Sequence, residues 1–492
     1  MHIIDNVLSR VMSIGPIQRQ SLISFVSLIG VTAIGYLATI YFAHFLGPAI
    51  LGSFYLFTAY FGIFDVISDG GFGGASIKRI SEGKNPNEFF TASIILRFVL
   101  LGISIVIFII MSPYLVGITN SELFYLFIIT LTVGSINGIC AIDVLGTARI
   151  GISQTSNFIN TMVKLVIQVL AVFVGWGLGG LIAGFITGMI ASAVINFKFI
   201  RLKLTKCNFN HFKDMSTFAF WTFLSSGGVL MFSYADTILI GYFLNSEEVG
   251  IYRIAFQLAA FSAVTVTVFN SVLFPRISRW HAENDIAMIQ LTLSKAITYC
   301  LILAIPVTAG GVLLSDKLMY FLYGASFQSG SSCLIILLFA QIANIFMYLF
   351  TMCLNGIDKP RYSFYVTLIS AILNIILNIV LIPVFGITGA AAAMLLTMLI
   401  NAGLAYAFLK PVVTVPLELR SIGYMIGSSM VMACVIIAST SYVKIQDFTN
   451  LFTIVLMGAL VYFIILFTLD KKLTSDIKNI LTKMQLPFIS GD

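Results

Sequence analysis

The sequence predicts an all-α polytopic membrane protein with about fourteen transmembrane helices. Hydrophobic residues make up 59% of the 492 residues and charged residues only 10%, and the mean hydropathy is +1.03. These values lie outside the usual range of soluble domains. Apolar runs long enough to cover the hydrocarbon core follow one another along the whole chain. Their polarity does not alternate as it would in barrel strands, so we expect helices, which pair all their backbone groups internally.

The predicted spans form two consecutive groups of equal size. The first group lies at 22–46, 50–69, 89–111, 121–142, 156–175, 178–200 and 217–243. The second group lies at 249–274, 289–314, 331–355, 361–385, 387–409, 419–443 and 450–469. No segment between the spans is long enough to form a soluble domain.

The basic residues predict the orientation. Of the 27 Lys and Arg, four (Arg97, Lys164, Arg253 and Lys295) lie well inside predicted spans. With the N-terminus inside, only Lys317 and Lys444 fall in outside loops, and the other 21 lie in cytoplasmic segments or at the cytoplasmic ends of spans. By the positive-inside rule both termini are therefore expected in the cytoplasm, and the protein in the cell inner (plasma) membrane. The net charge of +7 is then a signal of topology, and no nucleic-acid partner is expected.

An internal repeat relates the two halves of the chain. A shift of 198 residues aligns Gly52 with Gly250 and Arg97 with Lys295, and a slightly different shift aligns 176–180 with 385–389. Because six spans separate the copies, the halves have the same orientation and are related by an axis along the membrane normal. The predicted architecture is two pseudo-symmetric six-helix bundles plus two C-terminal helices.

This architecture predicts the division of the chain. The expected parts are a cytoplasmic N-terminal segment (1–21), an N-terminal six-helix bundle (22–200), a basic cytoplasmic linker (201–216), a C-terminal six-helix bundle (217–409), two additional transmembrane helices (410–469) and a cytoplasmic tail (470–492). The tail has apolar residues at helical spacing among lysines, which is typical of an amphipathic helix on the inner leaflet. A frayed tail is the alternative.

Several runs of residues carry a family resemblance. One reads DTILIGYFL from Asp236 and continues as EVGIY from Glu248. Others read LNGIDKP from Leu354 and LIPVFGITGAA from Leu381. These runs resemble spans of the Wzx-like polysaccharide and O-antigen flippases of the multidrug/oligosaccharidyl-lipid/polysaccharide (MOP) exporter superfamily. The similarity extends over essentially all predicted spans.

The resemblance implies a flippase that moves an undecaprenyl-pyrophosphate-linked oligosaccharide from the cytoplasmic to the outer leaflet by alternating access. The implied partners are this lipid-linked oligosaccharide, membrane lipids, an H+ or Na+ counter-ion and the polysaccharide polymerase machinery. The sequence leaves open whether an archaeal lipid carrier takes the place of undecaprenol. A MATE-like multidrug or cation antiporter is the alternative, although that branch usually has fewer spans.

Enzymatic motifs do not occur in the sequence. There is no GxxxxGK[ST] phosphate loop, no HExxH and no GxSxG, so ATP hydrolysis by this chain is not expected. A membrane-embedded glycan polymerase or ligase remains a further alternative, but the longest outside loop, about 315–330, is short for one. The scattered Cys and His residues predict neither a disulfide framework nor a metal site. No cofactor is expected.

Ionisable residues inside spans are candidates for function, because a charge at the bilayer centre costs at least about 2.5 kcal/mol. Asp65 and Asp69 lie four residues apart on one helix face, and Arg97 begins a neighbouring span at a similar depth. They are predicted either to pair structurally or to act as transport or counter-ion residues. Asp236 and Arg253 are predicted to face one another in the outward half of the second bundle, with a counter-ion role for Asp236 as the rival.

Polar residues at other positions allow two interpretations. Asn374 and Asn378 share a helix face and are predicted to form the polar face of a cavity that contacts sugars, or to make hydrogen bonds between helices. Asp143 lies at a cytoplasmic span end and is expected to be solvated.

Three cations are the candidates for binding the pyrophosphate headgroup of the carrier. Arg97, Lys164 and Lys295 lie about 12, 12 and 9 Å from the cytoplasmic ends of their spans, at 1.5 Å per residue. Three positive charges at one level could replace the water of a dianionic headgroup. In the alternative interpretation, Arg97 pairs with Asp65 or Asp69, and Lys295 extends to the inner interface.

Overall fold

The structure, a computed structural model, describes residues 16–117, 121–442 and 445–476. Within these ranges it consists of α-helices, short loops and three 3-10 turns, with no β-strand. The first half contains α1 (Pro16–Asp69), α2 (Phe72–Ser81), α3 (Pro86–Met111), α4 (Ser121–Gly146), α5 (Ile150–Phe173), α6 (Gly177–Lys198) and α7 (Phe209–Phe243). The second half contains α8 (Ser246–Ala260), α9 (Val264–Ala282), α10 (Ile286–Tyr323), α11 (Ser331–Gly356), α12 (Pro360–Leu409), α13 (Leu419–Tyr442) and α14 (Phe448–Leu469). The predicted all-α fold is confirmed.

Two long helices are each divided by a glycine kink. Gly47 in α1 has a φ of 72° and Gly386 in α12 has a φ of 61°, a left-handed conformation that glycine adopts without steric cost. In the internal repeat Gly47 aligns with Asn245, which lies between α7 and α8, and Gly386 aligns with Gly177, where α6 begins. The kinks thus occupy positions at which the other half of the chain starts a new helix.

The kinks account for the number of spans. Twelve described helices are long and apolar enough to cross a membrane. Two of these helices, α1 and α12, each contain two predicted spans, one on either side of the kink. The helices therefore agree with the prediction of about fourteen spans.

The described residues form two compact units, one ending at Gly250 and the other beginning at Ile251. In the first unit α7 packs on α1, α2 and α3, and a buried apolar cluster joins α2, α3, α4 and α7. In the second unit α10 packs on α11, α13 and α14, and α11 packs on α12. Helix α7 thus belongs with the helices that precede it. The six-helix bundles and the linker at 201–216 stay predictions.

The segment that follows α14 packs on the second unit. Residues 471–476 are helical, and Leu473 is 3% exposed within the core that also contains Tyr462 and Leu466. The Asp470 carboxylate accepts a hydrogen bond from the Leu473 N–H at 3.0 Å, which caps this helical turn. The remainder of the predicted amphipathic tail, 477–492, lies outside the described residues.

Candidate functional site

An ion-paired cluster lies inside the first unit, between α1 and α3. The Arg97 side chain is 7% exposed, and its Nη2 donates to Asp65 Oδ1 at 2.8 Å. Its Nη1 donates to Asp69 Oδ1. The two carboxylates remain partly accessible, with side-chain exposures of 34% and 26%. One guanidinium thus faces two carboxylates, and the cluster carries one excess negative charge when all three groups are ionised.

Helix α4 leaves space for this cluster. A Cβ at Gly138 would lie 2.9 Å from Arg97 Nη2, and a Cβ at Gly134 would lie 2.8 Å from the ring of Phe61. The hydroxyls of Ser68 in α1 and Ser135 in α4 share a hydrogen bond at 3.3 Å. Arg97 Nε is buried and has no hydrogen-bond partner among the described residues, so one donor of the guanidinium is not committed to the two carboxylates.

Lys164 lies at a close crossing of α5 and α6. Gly184 and Gly188 of α6 form the small-xxx-small pattern that lets two membrane helices approach closely. A Cβ at Gly188 would lie 2.9 Å from Lys164 Cβ, and one at Gly184 would lie 2.9 Å from the Lys164 carbonyl oxygen. Gln168 Nε2 donates to the Leu181 carbonyl at 2.8 Å across the same crossing. In the part of the chain that the structure describes, no carboxylate pairs with the Lys164 ammonium.

The C-terminal segment supplies the partner of Lys295. Lys295 Nζ donates to Asp476 Oδ2 at 2.9 Å, with side-chain exposures of 35% and 29%. A second pair, Lys472 Nζ to Glu418 Oε1 at 2.9 Å, ties the same segment to the loop that precedes α13. The hydrogen bond and the charge of Glu418 raise the pKa of Lys472. The C-terminal segment is therefore held by two ion pairs as well as by the buried Leu473.

The internal repeat explains why the partners of Arg97 and Lys295 differ in origin. The shift of 198 residues that aligns these two cations also aligns Asp65 with Ala263 and Asp69 with Thr267. The second half therefore has no carboxylate where α1 supplies the partners of Arg97. Of the three predicted headgroup cations, Arg97 therefore pairs with carboxylates of α1 and Lys295 with a carboxylate of the C-terminal segment. That these cations act together as one headgroup site stays a prediction.

The remaining predicted site residues are mostly buried. Asp236 is 5% exposed in α7 of the first unit, and Arg253 in α8 of the second unit lies 5.4 Å from the ring centroid of Phe256. Asn374 and Asn378 in α12 are 1% and 0% exposed. Asn378 Nδ2 donates to the carbonyl of Asn374 at 2.9 Å and to its Oδ1 at 3.1 Å. The pairing of Asp236 with Arg253 and the sugar contact of the asparagines stay predictions.

Asp143 is fully buried, so the expectation that it is solvated was wrong. Its carboxylate accepts a hydrogen bond from Arg149 and from the backbone N–H groups of Arg201 at 3.1 Å and Leu202 at 2.8 Å. Arg149 also donates to the carbonyl of Phe199. The sequence shows only that Asp143 lies at a span end, whereas the fold brings the linker after α6 back over the end of α4.

An apolar cavity of about 270 Å³ lies within the second unit. Its walls come from α8, α10, α11, α13 and α14, with Pro306, Gly310, Leu338 and Met432 among the lining residues. The Tyr462 hydroxyl at its wall already donates to the Ile302 carbonyl at 2.9 Å. The cavity therefore suits apolar groups rather than an ion or a charged headgroup.

The fold and the ion-paired spans define the class of the protein: a multi-pass helical membrane protein built, as many transporters are, on an internal repeat. A family model described as "Polysaccharide biosynthesis protein" matches residues 17–281, and the chain belongs to this family. A second family model, MatE, matches residues 222–380.

Two relatives align with nearly the whole chain. The chain is 29% identical over 445 residues to the "Probable low-salt glycan biosynthesis flippase Agl15" of Haloferax volcanii, which covers 90% of this chain and 94% of the relative. It is 26% identical over 475 residues to the "Probable flippase AglR" of the same organism. This alignment covers 94% of this chain and 98% of the relative.

Solved structures share the fold. The lipid II flippase MurJ in an inward closed conformation superposes with a TM-score of 0.78 at 18% identity, covering 92% of this chain and 100% of MurJ. An inward-facing multidrug resistance MATE transporter of the MOP superfamily superposes with a TM-score of 0.63 at 14% identity. The superposition covers 77% of this chain and 94% of the transporter. Together the two family models, the two relatives and the shared fold confirm the resemblance to the MOP-superfamily polysaccharide flippases.

Proposed function

We propose that the protein is a flippase that moves a lipid-linked oligosaccharide from the cytoplasmic to the outer leaflet of the cell membrane, with both of its termini in the cytoplasm. Membership of the polysaccharide biosynthesis family carries the proposal, and two relatives of nearly equal length that are named flippases support it. The carrier is undecaprenyl pyrophosphate or an archaeal lipid of similar chemistry. Flipping changes the leaflet of the substrate and no covalent bond, so the protein is not an enzyme.

The proposed headgroup site centres on Lys164. A phosphate group that leaves water needs charged donors to replace its hydration shell, and such contacts are stronger in a lipid-shielded site. Lys164 has no carboxylate competitor among the described residues. Arg97 and Lys295 would join the site only after exchanging their carboxylate partners for phosphate oxygens. Such an exchange offers a way to couple headgroup binding to alternating access between two states.

The proposed coupling site is the cluster of Asp65, Asp69 and Arg97. Because one guanidinium faces two carboxylates, a bound H+ or Na+ would balance the excess negative charge. When a headgroup phosphate binds the Arg97 guanidinium in place of Asp65 and Asp69, both carboxylates need another cation. Counter-ion binding and headgroup binding would then favour each other.

Reconstitution tests the function directly. The purified protein is placed in liposomes with a fluorescent lipid-linked oligosaccharide, and an impermeant quencher measures how much substrate is in the outer leaflet over time. We expect the quenchable fraction to increase faster than in protein-free liposomes while the glycan length stays constant. No increase would contradict the proposal, and a change in glycan length would instead indicate a polymerase or ligase.

A MATE-like multidrug or cation antiporter is the second candidate. The match of the MatE family model to 222–380 favours it. In the same liposomes, an antiporter would take up a cationic dye when an H+ or Na+ gradient is imposed and would leave the lipid-linked oligosaccharide in its leaflet. Dye uptake without flipping would therefore select this function.

A further inference from the structure

A basic segment crosses one end of the first unit. Residues 199–208 join α6 to α7 without forming helix or strand, and we call this segment the basic strap. The Lys203 N–H donates to Asn87 Oδ1 at 2.9 Å, and the Thr205 N–H donates to Thr91 Oγ1 at 3.0 Å. Because Asn87 and Thr91 lie four residues apart on one face of α3, the strap runs along the beginning of this helix. The Asp143 carboxylate holds the start of the strap through two further N–H groups.

The side chains of the strap are sorted by polarity. Ile200, Leu202 and Cys207 pack against the buried apolar cluster of the first unit. Arg201, Lys203 and Lys206 are exposed. The packing of the apolar residues and the pinned backbone therefore fix the place of three cations on one surface.

The three strap cations have no ionic partner within the described part of the chain. Glu88 follows Asn87 in α3 but lies beyond ion-pair distance of all three. Two large apolar side chains are exposed beside these cations: Leu204 at 71% and Phe209 at 80%. This combination of unpaired cations with exposed apolar side chains is typical of segments that lie at a membrane interface.

The position of the strap places it at such an interface. It connects the end of one candidate membrane span, Gly177–Lys198, to the start of the next, Phe209–Phe243. A short segment between two membrane-spanning helices lies at the level of the lipid headgroups, and there it would hold Arg201, Lys203 and Lys206. We propose that the basic strap is a binding site for anionic phospholipid headgroups in this leaflet, with the three cations contacting the phosphates and Leu204 and Phe209 entering the acyl boundary.

Lipid titration tests the proposal. The protein in neutral detergent is titrated with phosphatidylglycerol, with phosphatidylcholine as the lipid without net charge, and bound lipid is counted by native mass spectrometry. We expect selective binding of phosphatidylglycerol that weakens with added NaCl. The R201Q/K203Q/K206Q variant should lose at least about tenfold in affinity, since each cation near a membrane surface contributes roughly fivefold. Unchanged affinity in this variant would overturn the proposal.

A matched control separates the strap from net charge. The R276Q/R361Q/K410Q variant removes three exposed positive charges of the second unit that do not lie together on one segment, and it should lose far less affinity for phosphatidylglycerol than the strap variant does. An equal loss in this control would show that only net charge matters and would refute the site.

Inorganic phosphate and pyrophosphate are tested as competitors in the same titration. If either anion displaces the lipid from the wild type more strongly than NaCl of the same ionic strength does, the strap binds a free anion and the lipid assignment is wrong.

A third variant tests the pinned backbone. N87A/T91V keeps every cation but removes the acceptors of the Lys203 and Thr205 N–H groups. We expect a several-fold weaker selectivity for phosphatidylglycerol, with the elution volume in size-exclusion chromatography unchanged. Wild-type selectivity in this variant would contradict the claim that the fixed strap presents the cations.

Discussion

Gly52 and Gly250, which occupy equivalent positions in the internal repeat, pack against each other backbone to backbone. A Cβ on Gly52 would lie 2.8 Å from Gly250 N, and a Cβ on Gly250 would lie 3.1 Å from Gly52 N. The first Cβ would also meet the carbonyl of Ser246 and the second that of Pro48. Pro48 and Ser246 are themselves equivalent in the repeat, so the contact is reciprocal. It depends on both glycines lacking a side chain.

Alanine at either glycine is therefore expected to destabilise the protein. The added methyl group would meet backbone atoms that cannot rotate away, at a cost of about 1–3 kcal/mol, although alanine is the better helix former by about 1 kcal/mol. The control is Gly228→Ala in α7, where nothing lies within 4 Å of the added Cβ. Thermal unfolding in detergent should show a lower Tm for G52A and G250A and no decrease for G228A. Equal Tm values for all three would contradict the close packing.

Removal of Arg97 should be more harmful than removal of the whole cluster. Arg97→Ala leaves the carboxylates of Asp65 and Asp69 facing each other in a partly buried site, which we expect to cost on the order of 3 kcal/mol. The R97A/D65N/D69N variant removes the stranded charges and should recover most of the lost Tm. Strictly additive losses in thermal unfolding would argue against a coupled cluster.

A charge swap distinguishes the two roles of Lys295. If Lys295 serves only to hold Asp476, K295E should impair flipping and K295E/D476K should restore it. If Lys295 contacts the headgroup, the swapped protein should regain its Tm but stay inactive in the liposome assay. Wild-type transport by K295E alone would exclude both roles.

Lys164 is the cation whose loss should affect transport most selectively. Lys164→Gln removes a positive charge that has no carboxylate partner among the described residues, so the Tm should stay unchanged. The flipping rate should fall about tenfold or more, which is the effect expected when a hydrogen bond to a charged group is lost. Lys164→Arg should retain most of the rate. Lys317→Gln, at an exposed position in α10, is the control and should behave as wild type. Normal flipping by K164Q would remove Lys164 from the proposed site.

The orientation predicted from the basic residues can be tested with reporter fusions. Alkaline phosphatase is active only outside the cytoplasm, so a fusion after Asp492 should be inactive and one near Asn245 should be active. The reverse pattern would contradict the predicted topology.

The sequence by itself determined the all-helical membrane fold, the approximate number of spans and the repeat. The helical spans are a local property, because an apolar run of sufficient length must form a helix in lipid whatever its neighbours are. The repeat even aligned the kink at Gly386 with the start of a helix at Gly177. It also aligned Gly52 with Gly250, although nothing in the alignment indicated that the two glycines contact each other.

Only the tertiary structure decided which charges meet. Arg97 could be matched to Asp65 and Asp69 as one of two interpretations, because the depth of each residue in its span can be counted. The partner of Lys295 could not be found this way, since Asp476 lies 181 residues further along the chain, in a segment that was expected to lie on the membrane. The burial of Asp143 likewise results from a linker that folds back over α4. An ion pair requires two side chains within a few ångströms, and that distance is set by how helices and loops pack rather than by composition or periodicity.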